Sequence, residues 1–165
     1  MLEDALCVAQ RLEAFDKHFP DKSALLAELA TLGFNQLGDE IADALRRPLR
    51  SARAEFIAAA KAYIHFGMAN PSLYRLMFSG DVDKTAFPNL DAAGAAAFAG
   101  LLSILERGQK SGAFKQQPVR GQAAAAWALV HGFTMLAIDG QLLPEKVGAK
   151  PIDAILTSML EGLES

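Results

Sequence analysis

YIHFGMANPSLYRLMF, residues 63–78, contains the helix boundary that decides the fold. Apolar residues recur at helical spacing before Asn70, and Asn70 followed by Pro71 predicts an N-cap and a first-turn proline for a second, short helix. Proline is tolerated in a first helical turn and breaks a helix interior, so the prolines of this chain mark boundaries. The stretch therefore indicates helices joined end to end.

The same interpretation extends outward in both directions. Toward the N-terminus, Asp21 predicts an N-cap for a long helix to Arg47, with an apolar face of Leu25, Leu26, Leu29, Leu32, Leu37, Ile41 and Leu45. Pro48 ends that helix and can open the next, with a buried face of Phe56, Ala59, Ala60, Tyr63, Ile64 and Gly67. Further helices are predicted to begin at Pro88, Pro118 and Pro151.

Composition favours one all-α helical bundle. Alanine and leucine dominate, residues that favour strands are few, and no Asn-Gly hairpin signal occurs. A chain of 165 residues is long enough to bury one core, and no repeats or low-complexity linkers divide it. We therefore expect residues 21–165 to pack as one unit.

Charge and cysteine content exclude several classes of protein. The net charge of −3 gives no global positive field for nucleic acid, so any DNA contact must be local. Cys7 is the only cysteine, which excludes an intrachain disulfide and a CxxC site. The first residues do not resemble a signal peptide, and residues 121–138 are predicted to form a buried helix rather than a membrane span. A cytoplasmic protein is expected.

Three segments resemble, in order, parts of the tetracycline-repressor (TetR-like) family. HFPDKSALL, residues 18–26, is similar to the junction between the DNA-binding domain and the long connecting helix. Residues 63–78 are similar to a core segment in which one helix ends and a short one begins. GQKSGAFKQQP and AWALVHGF, residues 108–118 and 126–133, resemble the tryptophan-histidine-glycine (WHG) subgroup of C-terminal regulatory domains. The resemblance covers residues 18–163.

The resemblance implies a ligand-responsive transcriptional regulator, a repressor that acts as a homodimer. It implies no cofactor, operator DNA as a partner through an N-terminal helix-turn-helix, and a small apolar or aromatic effector in the C-terminal domain. The residues expected to contact DNA are Lys17, His18 and Lys22. The expected dimer interface consists of apolar and small residues of the last two long helices: Leu129, Gly132, Leu136, Ile152, Ile155, Leu156 and Met159.

The bulky apolar residues have two interpretations. An ordinary packed core accounts for most of them, whereas a subset can line a cavity, because ligand sites are mostly apolar with a few polar groups. The candidate ligand-binding residues are Tyr63, Phe66, Tyr74, Met77, Phe78, Trp127, His131 and Met135.

Residues 1–20 depart from the family pattern and are interpreted as a remnant of the helix-turn-helix domain. VAQRL, residues 8–12, resembles its first helix and EAFDKHF, residues 13–19, the end of its recognition helix, but the turn between them is missing. Either the helix-turn-helix has been lost, leaving a head-less ligand-binding or dimerisation protein, or residues are missing from this sequence. The second explanation is favoured, because a deletion would not be expected to spare both fragments. It predicts Cα separations above about 3.8 Å at Leu12–Glu13 and near Leu6–Val8.

An enzyme is the remaining alternative. His18, His65 and His131 are the three histidines, and a pair of them could bind zinc or exchange protons. However, no HExxH, ExxH or CxxC pattern accompanies them, and neither a GxSxG elbow nor a phosphate-binding glycine loop occurs. We therefore expect no catalytic or metal-binding residue, and a hydrogen-bonded core or pocket role for His131.

Overall fold

The computed structural model describes residues 22–80 and 82–164, which form helices joined by short connections. The all-α prediction is confirmed. In chain order the elements are α1 (Lys22–Leu45), α2 (Ala52–Ala69), α3 (Pro71–Phe78), a 3₁₀ turn (Lys84–Ala86), α4 (Pro88–Lys110), α5 (Val119–Ile138), α6 (Pro144–Val147) and α7 (Pro151–Leu163). The predictions for Asp21, Lys17, His18, the helix-turn-helix remnant and the Leu12–Glu13 and Leu6–Val8 steps lie outside these residues.

Most of the predicted boundaries are confirmed, and the one at Pro48 is wrong. Pro71, Pro88 and Pro151 occupy the first turns of α3, α4 and α7. Pro48 does not open α2, because Ser51 caps that helix by accepting a hydrogen bond from the Ala54 amide at 3.2 Å. Asn70 occupies the N-cap position of α3, but its side chain donates to the carbonyl of Phe66 at 3.0 Å. Asn70 therefore starts α3 through its backbone carbonyl and closes α2 with its side chain.

Two groups of buried side chains form the core. The first lies between α2, α4, α5 and α7, and the second lies between α1, α3 and the facing residues of α2 and α4. Tyr63 packs against both groups. The segments therefore pack around a shared centre beside Tyr63.

The buried face of α1 differs from the predicted row of leucines. Leu29 and Leu32 are exposed, and the residues that are buried are mostly small: Ala27, Ala30, Gly33, Phe34 and Leu37. The reason is the close approach of α1 to α3, since a Cβ added at Gly33 would lie 2.7 Å from the sulfur of Met77. Small side chains are required there, and Leu29 and Leu32 lie on the exposed side of the helix.

A second close approach joins α2 to α5. A Cβ at Gly67 would lie 2.3 Å from Cγ2 of Thr134 and 3.0 Å from Cδ2 of Tyr74. Thr134 is fully buried, and its hydroxyl donates to the carbonyl of Val130 at 2.8 Å, so its methyl group has a fixed position. Gly67 therefore sets the separation of these two helices.

Replacement of Gly67 by alanine should lower the free energy of unfolding by about 1–3 kcal/mol, because the added methyl group overlaps Thr134 in a packed core. The matched control is Gly38→Ala in α1, where a Cβ would meet nothing within 4 Å. It should stabilise the protein by up to about 1 kcal/mol through helix propensity. Urea titration measures both, and equal stability of Gly67→Ala and wild type would contradict the proposed contact.

Candidate ligand-binding site

A cavity of about 320 Å³ lies between α1, α2, α4 and α5. This volume is within the range of sites for small organic molecules. Its lining residues are predominantly apolar, and α1 and α4 contribute more than half of them. They are Phe34, Leu37, Ile41 and Leu45 of α1; Phe56, Ala59, Ala60 and Tyr63 of α2; Phe78 of α3; Lys84 of the 3₁₀ turn; Leu90, Asp91, Gly94, Ala95, Ala97, Phe98, Gly100, Leu101 and Ile104 of α4; and Ala126, Trp127 and Val130 of α5.

The cavity exists where short side chains face one another. The facing positions of α2, α4 and α5 hold alanine or glycine at Ala59, Ala60, Gly94, Ala95, Ala97, Gly100 and Ala126. These side chains end at Cβ or lack one, and larger neighbours such as Phe56 and Phe98 line the same space. The side chains of these helices therefore leave an unfilled space between them.

Three of the eight predicted ligand-binding residues line the cavity, namely Tyr63, Phe78 and Trp127. The others lie outside its lining: Phe66, Tyr74 and Met77 are buried in the second core group, and His131 and Met135 are half-buried on α5. The sequence interpretation missed the contributions of α1 and α4, and the charged Lys84 and Asp91. The run AAGAAAFAG at residues 92–100 was the available signal, since it has too little side-chain volume to fill a core.

A chain of hydrogen bonds runs along one wall and joins α2, α3 and α5. The indole Nε1 of Trp127 donates to the hydroxyl of Tyr63 at 3.3 Å. The hydroxyl of Tyr74 lies 2.8 Å from that of Tyr63 and 2.7 Å from Nδ1 of His131. The Tyr63 hydroxyl also lies 3.3 Å from the same ring nitrogen, whose role as donor or acceptor depends on the histidine tautomer. His131 thus has the expected hydrogen bonds, although it lies beside the cavity and not in its lining.

Burial keeps the hydrogen-bonded side chains of this wall uncharged. It raises the pKa of Tyr63 and that of Tyr74, whose pKa is raised further by the neighbouring Tyr63. Burial also lowers the pKa of His131 below its ordinary value. At neutral pH the wall therefore presents neutral donors and acceptors, which suit the orientation of a polar ligand group. Among residues 22–80 and 82–164, no three His, Cys, Asp or Glu side chains are grouped as metal ligands would be.

Two charged residues line the otherwise apolar cavity. The Lys84 ammonium lies 5.3 Å from the centroid of the Phe34 ring and 5.7 Å from that of the Phe78 ring. Asp91 is exposed in the first turn of α4. The cavity therefore has one positive and one negative group within an apolar lining.

The predicted interface residues are only partly available on the surface. Leu136 is 47% exposed, and the half-buried ones are Leu129, Gly132, Ile152 and Ile155. Leu156 and Met159 point into the core of their own chain, so they offer little surface to a partner. Lys22 is exposed at the start of α1. Its predicted contact with DNA stays a prediction.

Helices α4 and α5 are long and apolar enough to cross a membrane by length and composition alone, a test that core helices of soluble proteins also pass. Of the residues in the apolar stretch of α5, 33% are buried within the chain. The prediction of a buried helix at residues 121–138 therefore holds for the inner face only. The outer face of α5 is open.

Comparison with known proteins identifies related folds. Residues 56–163 match the model for the C-terminal domain of tetracyclin repressor-like proteins. A Rhodococcus sp. RHA1 protein of unknown function has a similar structure, with 32% identity and a TM-score of 0.79 over 90% of this chain and 76% of that one. The TetR family transcriptional regulator PfmR from Thermus thermophilus shows 21% identity and a TM-score of 0.70, over 88% and 80%.

A regulatory protein of the tetR family from Rhodococcus RHA1 is also similar, with 15% identity and a TM-score of 0.67 over 87% of this chain and 76% of that one. No curated protein matches the chain significantly in sequence.

The pH dependence of stability should report the buried state of His131. Because its pKa is lowered from about 6.5, the unfolded chain binds more protons than the folded chain between the lowered pKa and about 6.5. The stabilisation by neutral His131 is present above about pH 6.5 and is lost as the pH falls through this window. The free energy of unfolding should therefore fall less steeply with acidification in His131→Asn than in wild type.

Chemical denaturation between about pH 7.5 and about pH 5.5 measures this difference. Trp127→Phe is the control, because it removes the indole donor and retains His131, so its pH profile should follow that of wild type. Parallel profiles for wild type and His131→Asn would show that His131 does not titrate differently in the folded state.

Proposed function

The chain belongs to the tetracycline-repressor family of transcriptional regulators, and from this membership we propose that it is a ligand-responsive repressor in the cytoplasm. In this proposal it acts as a homodimer and binds operator DNA through an N-terminal helix-turn-helix. A small apolar or aromatic effector enters the cavity and releases the DNA. Membership of the WHG subgroup stays a prediction.

The observation that carries the proposal is the position of α1 in the cavity wall. Phe34, Leu37, Ile41 and Leu45 of α1 line the cavity, and α1 begins at Lys22, directly after the segment that resembles the helix-turn-helix. A molecule in the cavity therefore contacts the helix that leads toward the proposed DNA-binding head.

Regulation then requires a difference in affinity. The effector must bind one arrangement of α1 more tightly than another, with a coupling of roughly 1–3 kcal/mol. The two heads of such a dimer must meet half-sites about 34–36 Å apart, so a shift of α1 that alters this spacing misaligns one head. A small displacement at the cavity is enough in this mechanism.

The open face of α5 supports a two-fold dimer. Small and apolar residues follow one another along that face at helical spacing: Gly121, Ala125, Ala128, Gly132 and Leu136. Short side chains let two helices approach closely, as a self-complementary helical interface requires. We propose that this face, together with Ile152 and Ile155 of α7, replaces the expected contacts of Leu156 and Met159.

The head-less binding protein remains the second candidate, favoured by the missing turn in residues 1–20. Selection of bound fragments from the source genome separates the two candidates. Retention of specific fragments supports the repressor, and retention of none supports the head-less protein.

Trp127→Ala should weaken the response to effector and leave DNA binding in its absence nearly intact, because Trp127 lines the cavity. A compound that releases a selected fragment from wild type should be required at a several-fold higher concentration. Met68→Ala is the matched control, since Met68 is an exposed apolar residue of α2 outside the cavity lining. An unchanged response of Trp127→Ala, measured by fluorescence anisotropy of labelled DNA, would show that the effector binds elsewhere.

Leu136→Arg should convert the dimer to monomer, because it places a charge on the proposed apolar face. A stable dimer is expected to bury well above about 1,000 Å² in total. Leu32→Arg on α1 is the matched control, since Leu32 is 46% exposed and Leu136 is 47% exposed. Light scattering after gel filtration at micromolar concentration measures both, and monomeric wild type would rule out the dimer.

A further inference from the structure

Lys84 stands on a turn of defined conformation. Asp83 caps this 3₁₀ turn, and its carboxylate accepts hydrogen bonds from the Thr85 amide at 2.9 Å and from the Thr85 hydroxyl at 2.6 Å. Lys84 is half-buried, and its ammonium lies over the rings of Phe34 and Phe78. The turn therefore places a cation against two aromatic walls of the cavity.

The charge of Lys84 has no carboxylate partner in the part of the chain that the structure describes. The ion pairs found there join other residues, and none includes Lys84. Contact with aromatic rings attracts an ammonium to their faces but does not neutralise it. An anion that arrives at this position can therefore pair with Lys84 without displacing an existing ion pair.

Asp91 lines the same cavity and carries the opposite charge, which would repel an anion bound there. It is exposed, and it lies in the first turn of α4, where a carboxylate interacts favourably with the helix dipole. This local interaction accounts for its position, and solvent screens its effect on a bound anion. Among the described residues, no ion pair accounts for the position of Lys84.

We propose that the effector is an amphipathic carboxylate, whose alkyl or aryl tail fills the cavity and whose carboxylate pairs with Lys84. This inference rests on the proposed function, because it specifies the chemistry of the effector. The apolar lining supplies the favourable burial of the tail, and the half-buried ammonium selects the head group. Since Lys84 lies over Phe34 of α1, binding of the head group also connects the turn before α4 with α1.

The test compares head groups on two constant tails. Decanoate, decanol and decylamine form one series, and 4-phenylbutyrate, 4-phenylbutanol and 4-phenylbutylamine form the other. Trp127 is the only tryptophan of the chain and lines the cavity, so its fluorescence reports occupancy, and calorimetry gives the affinity. At least one carboxylate should bind about tenfold or more tightly than its alcohol and amine, and added salt should weaken the binding of that carboxylate selectively.

Two single-charge variants form a matched pair. Lys84→Gln should weaken carboxylate binding about tenfold and alcohol binding much less, and its thermal midpoint should fall only slightly, because the variant loses the contacts with two rings but no ion pair. Asp91→Asn should leave carboxylate binding unchanged or tighten it. Only Lys84→Gln should therefore weaken carboxylate binding.

The opposite results overturn the inference. Equal affinity for alcohols and carboxylates, tighter binding of the amines with a loss in Asp91→Asn, or no binding of any probe would each exclude a carboxylate effector. These outcomes leave the proposed repressor intact if another compound releases its DNA. A different result overturns the proposed function: the carboxylates bind in the cavity, but no DNA fragment is retained or released.

Discussion

The buried hydroxyl of Tyr74 is the constraint on which the rest of the structure depends. A hydroxyl buried without a hydrogen-bond partner costs about 1–3 kcal/mol, so Tyr74 requires partners at short range. It finds them in Tyr63 of α2 and His131 of α5, while Tyr74 itself belongs to α3. Three helices must therefore meet at one point, and Gly67 provides the space for that meeting. Around this point the Tyr63 ring packs edge to face against Tyr74 and the His131 ring stacks on Tyr74, which fixes their orientation.

The cavity has walls of different character as a result. On the side of α2, α3 and α5, hydrogen bonds and the tight contact at Gly67 hold the helices in place. On the side of α4, four of the nine lining residues are alanine or glycine, and the α1 side chains that line the cavity are all apolar. Apolar contacts are non-directional, so a shift of α1 along the cavity would break no hydrogen bond in the lining, although the close contact of Gly33 with Met77 limits it. In the proposed mechanism a ligand between the two sides acts on this helix.

The helices were largely predictable from the sequence, and the cavity was not. Proline breaks a helix by local chemistry, so Pro71, Pro88 and Pro151 marked their boundaries correctly, whereas Ser51 outcompeted Pro48 through a cap that spacing alone does not reveal. The aromatic cluster was located, since large apolar residues at helical spacing must be buried somewhere. A cavity depends on which side chains are short where helices face each other, and that is a property of the packed structure. Lys84 was missed for the same reason, because its place at the cavity depends on how the turn before α4 packs.

The hydroxyls of Tyr63 and Tyr74, which lie between Trp127 and His131, can point in either of two directions. With Nδ1 of His131 unprotonated, the hydroxyls point from Tyr63 through Tyr74 to the ring nitrogen; with Nδ1 protonated, they point the other way. In the first arrangement Tyr63 offers a lone pair to the cavity, and in the second its proton is free to be donated. Exchange between the two neutral tautomers of His131 thus lets the Tyr63 hydroxyl act toward the cavity either as a hydrogen-bond acceptor or as a donor. The same site can accept a hydrogen bond from one guest molecule and donate one to another without any movement of the backbone.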